Sequence, residues 1–189
     1  MGYEAKNFDH LLGTQGFSDQ LLRNHLILYQ GYVTNTNKLI EMLDKMQPGT
    51  LDYSELQRRL GWEFNGMKLH ELYFGNMVKG GKAPNMKSLF FKALTKQYGS
   101  FENWMKNFKA VGAMRGIGWT VLVFDPQIKE FFNIWVNEHD VGHLIGTNQL
   151  LIMDVFEHAF MIDYGLKRAD YIEAFFKAIN WDEVNKRFK

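Results

Sequence analysis

Apolar residues return at three- and four-residue intervals from Leu21 through Leu26, Tyr29, Val33 and Leu39 to Leu43, which predicts one long amphipathic helix. Ser18 is placed to cap it, with Asp19 in its first turn, and Gln47-Pro48-Gly49 ends it near Met46. A shorter helix starts at Asp52 or Ser54 and runs to Leu60-Gly61. After Gly61 a separate helix over 65–76 carries Leu69, His70, Leu72, Tyr73 and Phe74. Residues 1–17, with Gly13 and Gly16, read as an extended or irregular leader.

Lys79-Gly80-Gly81-Lys82-Ala83-Pro84 is the clearest linker and divides the chain into residues 1–80 and 81–189. Beyond it, 86–98 and 101–112 read as helices parted by Tyr98-Gly99-Ser100. The pattern then changes period. Trp119 to Phe124 and Phe131 to Val136 are β-branched and aromatic runs joined by Asp125-Pro126, the signature of a hairpin. Leu150 to Met153 is a third, buried strand, and helices over 155–164 and 170–180 follow. The expectation is an α+β chain with a helical N-terminal half and helices around a small antiparallel sheet.

Composition narrows the chemistry. Of 189 residues, 46% are hydrophobic and 15% aromatic, enough for an ample core, so the chain reads as globular. A net charge of +1 gives no support for nucleic-acid or membrane partners. The chain has no cysteine, so a bound metal is held by His, Asp or Glu. No run reaches the ~20 apolar residues of a membrane span. The N-terminus carries Glu4, Lys6 and Asp9 and lacks a signal-like apolar core, so a cytoplasmic location is expected.

The most informative stretch is Leu150-Leu151-Ile152-Met153-Asp154-Val155-Phe156-Glu157-His158. A carboxylate and an imidazole four residues apart would share one face of a helical turn. Buried together at a strand end they need a common partner. A metal ion is one such partner; a capping Asp beside a hydrogen-bonded core His is the plainer alternative.

Asp154-Val155-Phe156-Glu157-His158-Ala159-Phe160, Asp163-Tyr164, Arg168, Asp170-Tyr171 and Asn180-Trp181 closely resemble the C-terminal signature of the iron/manganese superoxide dismutases. The resemblance implies an N-terminal helical hairpin followed by an α/β domain with a three-stranded antiparallel sheet. It implies Asp154 and His158 as ligands of one iron or manganese ion, with one further His from each of two earlier helices. Lys68-Leu69-His70-Glu71-Leu72-Tyr73-Phe74 is similar to the helix that supplies one of them, His70. Tyr32-Val33 is similar to the family's gateway pair, which implies a catalytic role for Tyr32. The family's first ligand lies eight residues earlier, at Asn24 here, whereas His25 is seven earlier. Asn is a poor ligand for a redox metal and His a common one, so His25 is assigned as ligand. The helix then lacks one residue, a difference that a π-bulge absorbs. The family's second His on this helix is absent, with Leu28 or Tyr29 in its place. Phe74, Val121 and Phe156 stand where Trp is usual, and Trp119 is retained.

His139, fifteen residues before Asp154, matches the archaeal-type residue that hydrogen-bonds the metal's solvent ligand; Glu138 matches the Gln of other members. His139 is favoured, since a second carboxylate would add negative charge beside an anionic site. Gly66, four before His70, resembles manganese and archaeal patterns more than the Gln common in iron members. The activity implied is disproportionation of superoxide anion to dioxygen and hydrogen peroxide. The assembly implied is a homodimer or tetramer, in which Glu157 pairs with the ligand His of another subunit and Tyr164 and Arg168 lie near the same contact. A catalytically weak or inactive metal-binding member of the same fold is the alternative. His139 and His143, also four apart, resemble a zincin pair but lack its adjacent Glu. His10 reads as a surface residue.

Overall fold

The computed structural model describes residues 2–188. Helix α1 (Asp19–Lys45) is capped by Ser18, whose side chain accepts the Leu21 N–H. Helix α2 (Leu51–Gly75) is capped by Thr50, which accepts the Tyr53 N–H. Contacts between His25 and His70, and between Asn35 and Glu63, run in opposite directions along the two helices, so they form an antiparallel hairpin. The break expected at Gly61 does not occur. A Cβ at Gly61 would meet open space, so the residue is a surface position. The ~1 kcal/mol helix penalty of a glycine there is outweighed by burial of Met67, Leu69, Tyr73 and Phe74 further along. The leader is irregular as expected, apart from one short turn, and it is packed down. It makes a 3-10 turn (Asp9–Leu11), and Phe8, Leu11 and Phe17 join the core.

Helices α3 (Leu89–Tyr98) and α4 (Phe101–Gly112) are capped by Ser88 and Ser100. They precede β1 (Gly118–Asp125), β2 (Glu130–Asn137) and β3 (Asn148–Asp154). The sheet is antiparallel, in the order β2-β1-β3, and pairs Trp119 with Val136 on one side and Asp154 on the other. As the central strand, β1 is buried from Gly118 to Phe124, which is why it reads as continuous apolar sequence. The helix expected over 155–164 is instead a 3-10 turn (Glu157–Ala159) and one short α5 (Met161–Tyr164). The cause is local: Asp154 Oδ1 accepts the Phe156 N–H at 2.8 Å in a turn, and Phe156 itself is extended at ψ 155, so no helix runs on from the strand. Helix α6 (Arg168–Lys177) ends earlier than the pattern implies, and α7 (Trp181–Arg187) follows it.

The end of α2 is fastened to the sheet by a buried Asn. Asn76 Nδ2 donates to the carbonyls of Tyr73 and Ile152, and its Oδ1 accepts the Ile152 N–H at 2.9 Å. Arg187 of α7 adds a second tie, donating to the carbonyls of Leu72 and Leu150. These bonds fix the end of α2, one turn beyond His70, against β3, which ends in Asp154.

Candidate metal centre

His25, His70, Asp154 and His158 are brought together from α1, α2, the end of β3 and the 3-10 turn after it. One nitrogen or oxygen from each lies within 4.8 Å of all the others. His25 Nε2 and His158 Nε2 are both 3.1 Å from Asp154 Oδ2, and His70 Nε2 is 3.7 Å from it. Two donors about 2.1 Å from one ion sit at most ~4.2 Å apart, so the set closes on a single ion by shifts of a few tenths of an ångström. His25 and Tyr32 share a face of α1 without a π turn, because seven residues fall only ~20° short of two full turns. Asn24, one position away, is exposed and accepts a hydrogen bond from Gln20. Asp154 and His158 meet through the turn and not along a helix face, contrary to the spacing argument.

Charge and hydrogen bonding identify what belongs between these atoms. The Gly66 carbonyl accepts the His70 Nδ1–H at 2.6 Å, so the His70 Nε2 carries a lone pair. That nitrogen is buried and has no hydrogen-bond partner. Burial holds His70 well below the usual imidazole range and also lowers His25, against the pull of Asp154. Burial acts to raise the Asp154 carboxyl, but His158 and His25 outweigh it and keep it below the ordinary carboxylate range. A buried carboxylate facing His25 and His70, whose imidazoles burial keeps from protonation, calls for a cation, and an orphaned lone pair points to the same place. Three nitrogens and one oxygen suit a divalent or trivalent first-row metal, so the residues fit one such ion.

Around this set lies a shell of rings. Phe74 meets His25 edge-on at 4.9 Å, Trp119 meets His70 at 4.9 Å, and Phe156 stacks on His158 at 5.0 Å. Tyr29, four after His25 where the family has its second His, is fully buried and donates to Glu71. His139 is buried beside Tyr32, with its Nε2 2.8 Å from the phenol oxygen, and its Nδ1 accepts the Trp119 Nε1–H. The zinc-pair alternative fails on geometry: both His139 nitrogens are engaged, and His143 donates to the His139 carbonyl. His10 is exposed, as expected. The sequence reading missed Trp62, whose ring centroid lies 4.5 Å from His139 and 5.5 Å from Tyr32. Its signal was its place eight residues before His70, on the same side of α2.

Gly66 explains its own side chain. A Cβ there would lie 2.6 Å from the Tyr32 ring. Gly66→Ala should therefore displace Tyr32, costing about 1–3 kcal/mol of stability and roughly tenfold in activity with metal retained. Denaturant midpoints and metal analysis of the variant check both.

The fold and the three-His, one-Asp cluster define a protein with a site for a single metal ion. Residues 86–187 match the C-terminal domain of iron/manganese superoxide dismutases. An iron superoxide dismutase of Sulfolobus acidocaldarius is 34% identical over 168 residues, covering 85% of this chain and 80% of its own. That of Aquifex pyrophilus is 34% identical over 192 residues, covering 96% and 89%. A manganese superoxide dismutase of Haloarcula marismortui is 33% identical over 177 residues, covering 91% and 85%. The chain belongs to the iron/manganese superoxide dismutase family.

Proposed function

We propose that this protein disproportionates superoxide to dioxygen and hydrogen peroxide at one iron or manganese ion held by His25, His70, Asp154 and His158. Tyr32 and His139 are the catalytic side chains beside it. The observation that carries the reading is the convergence of three imidazole nitrogens on Asp154 Oδ2, with His70 Nε2 unpartnered. The bound metal supplies a one-electron couple that superoxide can reduce in one half-cycle and oxidise in the other.

The protein's own part is proton delivery. Because the His139 Nδ1 accepts from Trp119, the neutral ring carries its proton on Nε2 and donates it to the Tyr32 oxygen. Burial drives the His139 imidazole down to about 4, which keeps that tautomer neutral. Burial also raises the Tyr32 phenol well above its ordinary range, so it stays protonated. With its oxygen engaged by His139, the phenol proton is free to pass to a peroxide dianion in the site, giving hydroperoxide, while the His139 bond steadies the phenolate left behind; two solvent protons, one to the hydroperoxide and one to the phenolate, complete hydrogen peroxide and restore Tyr32. Phe74, Phe156 and Trp119 exclude bulk water from this exchange.

His139→Ala should keep the metal and lose roughly 10- to 100-fold in activity. Elemental analysis alongside a superoxide-consumption assay separates the two effects. The same pair of measurements on the unmodified protein tests the assignment itself. One equivalent of iron or manganese with turnover is expected; a zinc-only protein, or a loaded one without turnover, would overturn it.

The assembly we propose is a cytoplasmic homodimer or tetramer. Glu157 supports it: the side chain is exposed and has no partner among the described residues, one position from a part-exposed His158. It is free to meet the His158 of a second copy across a two-fold axis. Tyr164 and Arg168, by contrast, are used inside the chain, donating to Gly16 and to Met114 and Gly116 carbonyls. No helix of the described residues is long and apolar enough to cross a membrane.

A further inference from the structure

Glu138 and Trp62 take no part in the chemistry above, yet they meet directly over it. The Trp62 Nε1–H donates to Glu138 Oε2 at 2.8 Å, a bond between residues 76 apart that joins α2 to the loop after β2. The indole also packs against Tyr32 and His139, with ring centroids 5.5 and 4.5 Å away. Its face carries the Arg59 guanidinium, 3.8 Å from a ring centroid. Arg59 is in turn held at 2.6 Å by Glu63, whose side chain is 4% exposed. The indole is thus fixed at its N–H and on its face, and two of the groups it touches are Tyr32 and His139.

The backbone at Glu138 shows the same arrangement from the other side. Glu138 has φ 49, a left-handed conformation uncommon for a residue with a side chain. Such conformations persist where surrounding contacts over-determine them. Here the turn sends the Glu138 side chain towards α2 and the next residue, His139, inward to Tyr32. Backbone bonds between Asn137 and Val141 close the turn, and the hydrogen bond from Trp62 to Glu138 ties it to α2.

We propose that Glu138 is a positioning residue: with Trp62 it clamps the loop to α2 and so sets the His139–Tyr32 hydrogen bond. The inference rests on the proton-delivery role given to Tyr32 and His139. Its consequence is specific to proton delivery. Glu138→Ala and Trp62→Phe, which keeps a ring but loses the N–H, should each lower kcat about tenfold with little change in kcat/KM or metal content. Proton supply governs kcat, while encounter with the anion governs kcat/KM. Glu138→Gln, whose amide oxygen can still accept the bond, should restore most of kcat. The double variant should be no worse than either single one, because the two residues act through one contact.

A second readout is independent of turnover. In metal-free protein labelled with 15N-tryptophan, the Trp62 indole proton, assigned by its loss in Trp62→Phe, should shift and exchange faster in Glu138→Ala. An indole signal indifferent to Glu138→Ala, additive losses in the double variant, or equal falls in kcat and kcat/KM would overturn the clamp. A protein with the indole shift present but no turnover in any form would instead overturn the functional reading and leave the clamp standing.

Discussion

Asp154→Asn should yield a folded protein that holds no metal and consumes superoxide at background rate. The change is nearly isosteric, so the outcome reports charge and hydrogen bonding rather than a hole. Asp154 Oδ1 accepts the Phe156 N–H at 2.8 Å. An Asn keeps that bond only by turning its carbonyl oxygen there, which places its NH2 where Oδ2 faces His25 and His158 at 3.1 Å. A donor then occupies the metal-facing position, and the centre loses its one anionic ligand. The loss should exceed the roughly 10- to 100-fold typical of changing a group that only supports a ligand. The variant should also lose the thermal protection that metal gives the wild type, about 4 kcal/mol at a free metal concentration a thousandfold above Kd. Elemental analysis and calorimetry with and without added metal measure both; wild-type occupancy in Asp154→Asn would refute the ligand set.

His25→Ala carries the next largest effect, and Asn24 supplies its control. His25 is 1% exposed and faces Asp154, whereas Asn24 lies about 100° around the helix, exposed and bonded to Gln20. His25→Ala should abolish metal binding, and Asn24→Ala should leave it intact. Adding Asn24→His to His25→Ala should not recover it, because an imidazole at position 24 points into solvent. Metal retained in His25→Ala, or recovered in the double variant, would place the first ligand elsewhere.

These two positions show what could be read from sequence and what could not. Asp154 and His158 were legible because a buried strand runs directly into a carboxylate, and the residues after it match a family signature. The first two strands were legible because β-branched and aromatic runs are rare outside sheets, and the third because a short apolar run, Leu150 to Met153, ends at a carboxylate. His25 was legible only through chemistry, since counting back from Tyr32 by the family's spacing lands on Asn24. No bulge was needed to bring His25 inward, since a regular helix already returns to the same face after seven residues. Gly61 misled because a glycine on an exposed helical face looks, in sequence, like one that ends a helix. The 155–164 segment misled because the i, i+4 spacing of Asp154 and His158 is met equally well by a carboxylate-capped turn. In sequence Glu138 reads only as the Gln-like neighbour of His139, and its pairing with Trp62 was not legible because that contact spans two halves of the chain.

The separation of the ligands along the chain has a consequence for how the protein comes to hold its ion. His25 and Asp154 lie 129 positions apart. At about 5–20 residues per second of synthesis, the first imidazole waits roughly 6 to 26 s before the carboxylate leaves the ribosome. In that interval the nascent hairpin offers two neutral nitrogens and no anion, a weak claim on any cation. Choice between iron and manganese therefore falls to the finished chain, after Arg187 has locked onto the ends of α2 and β3.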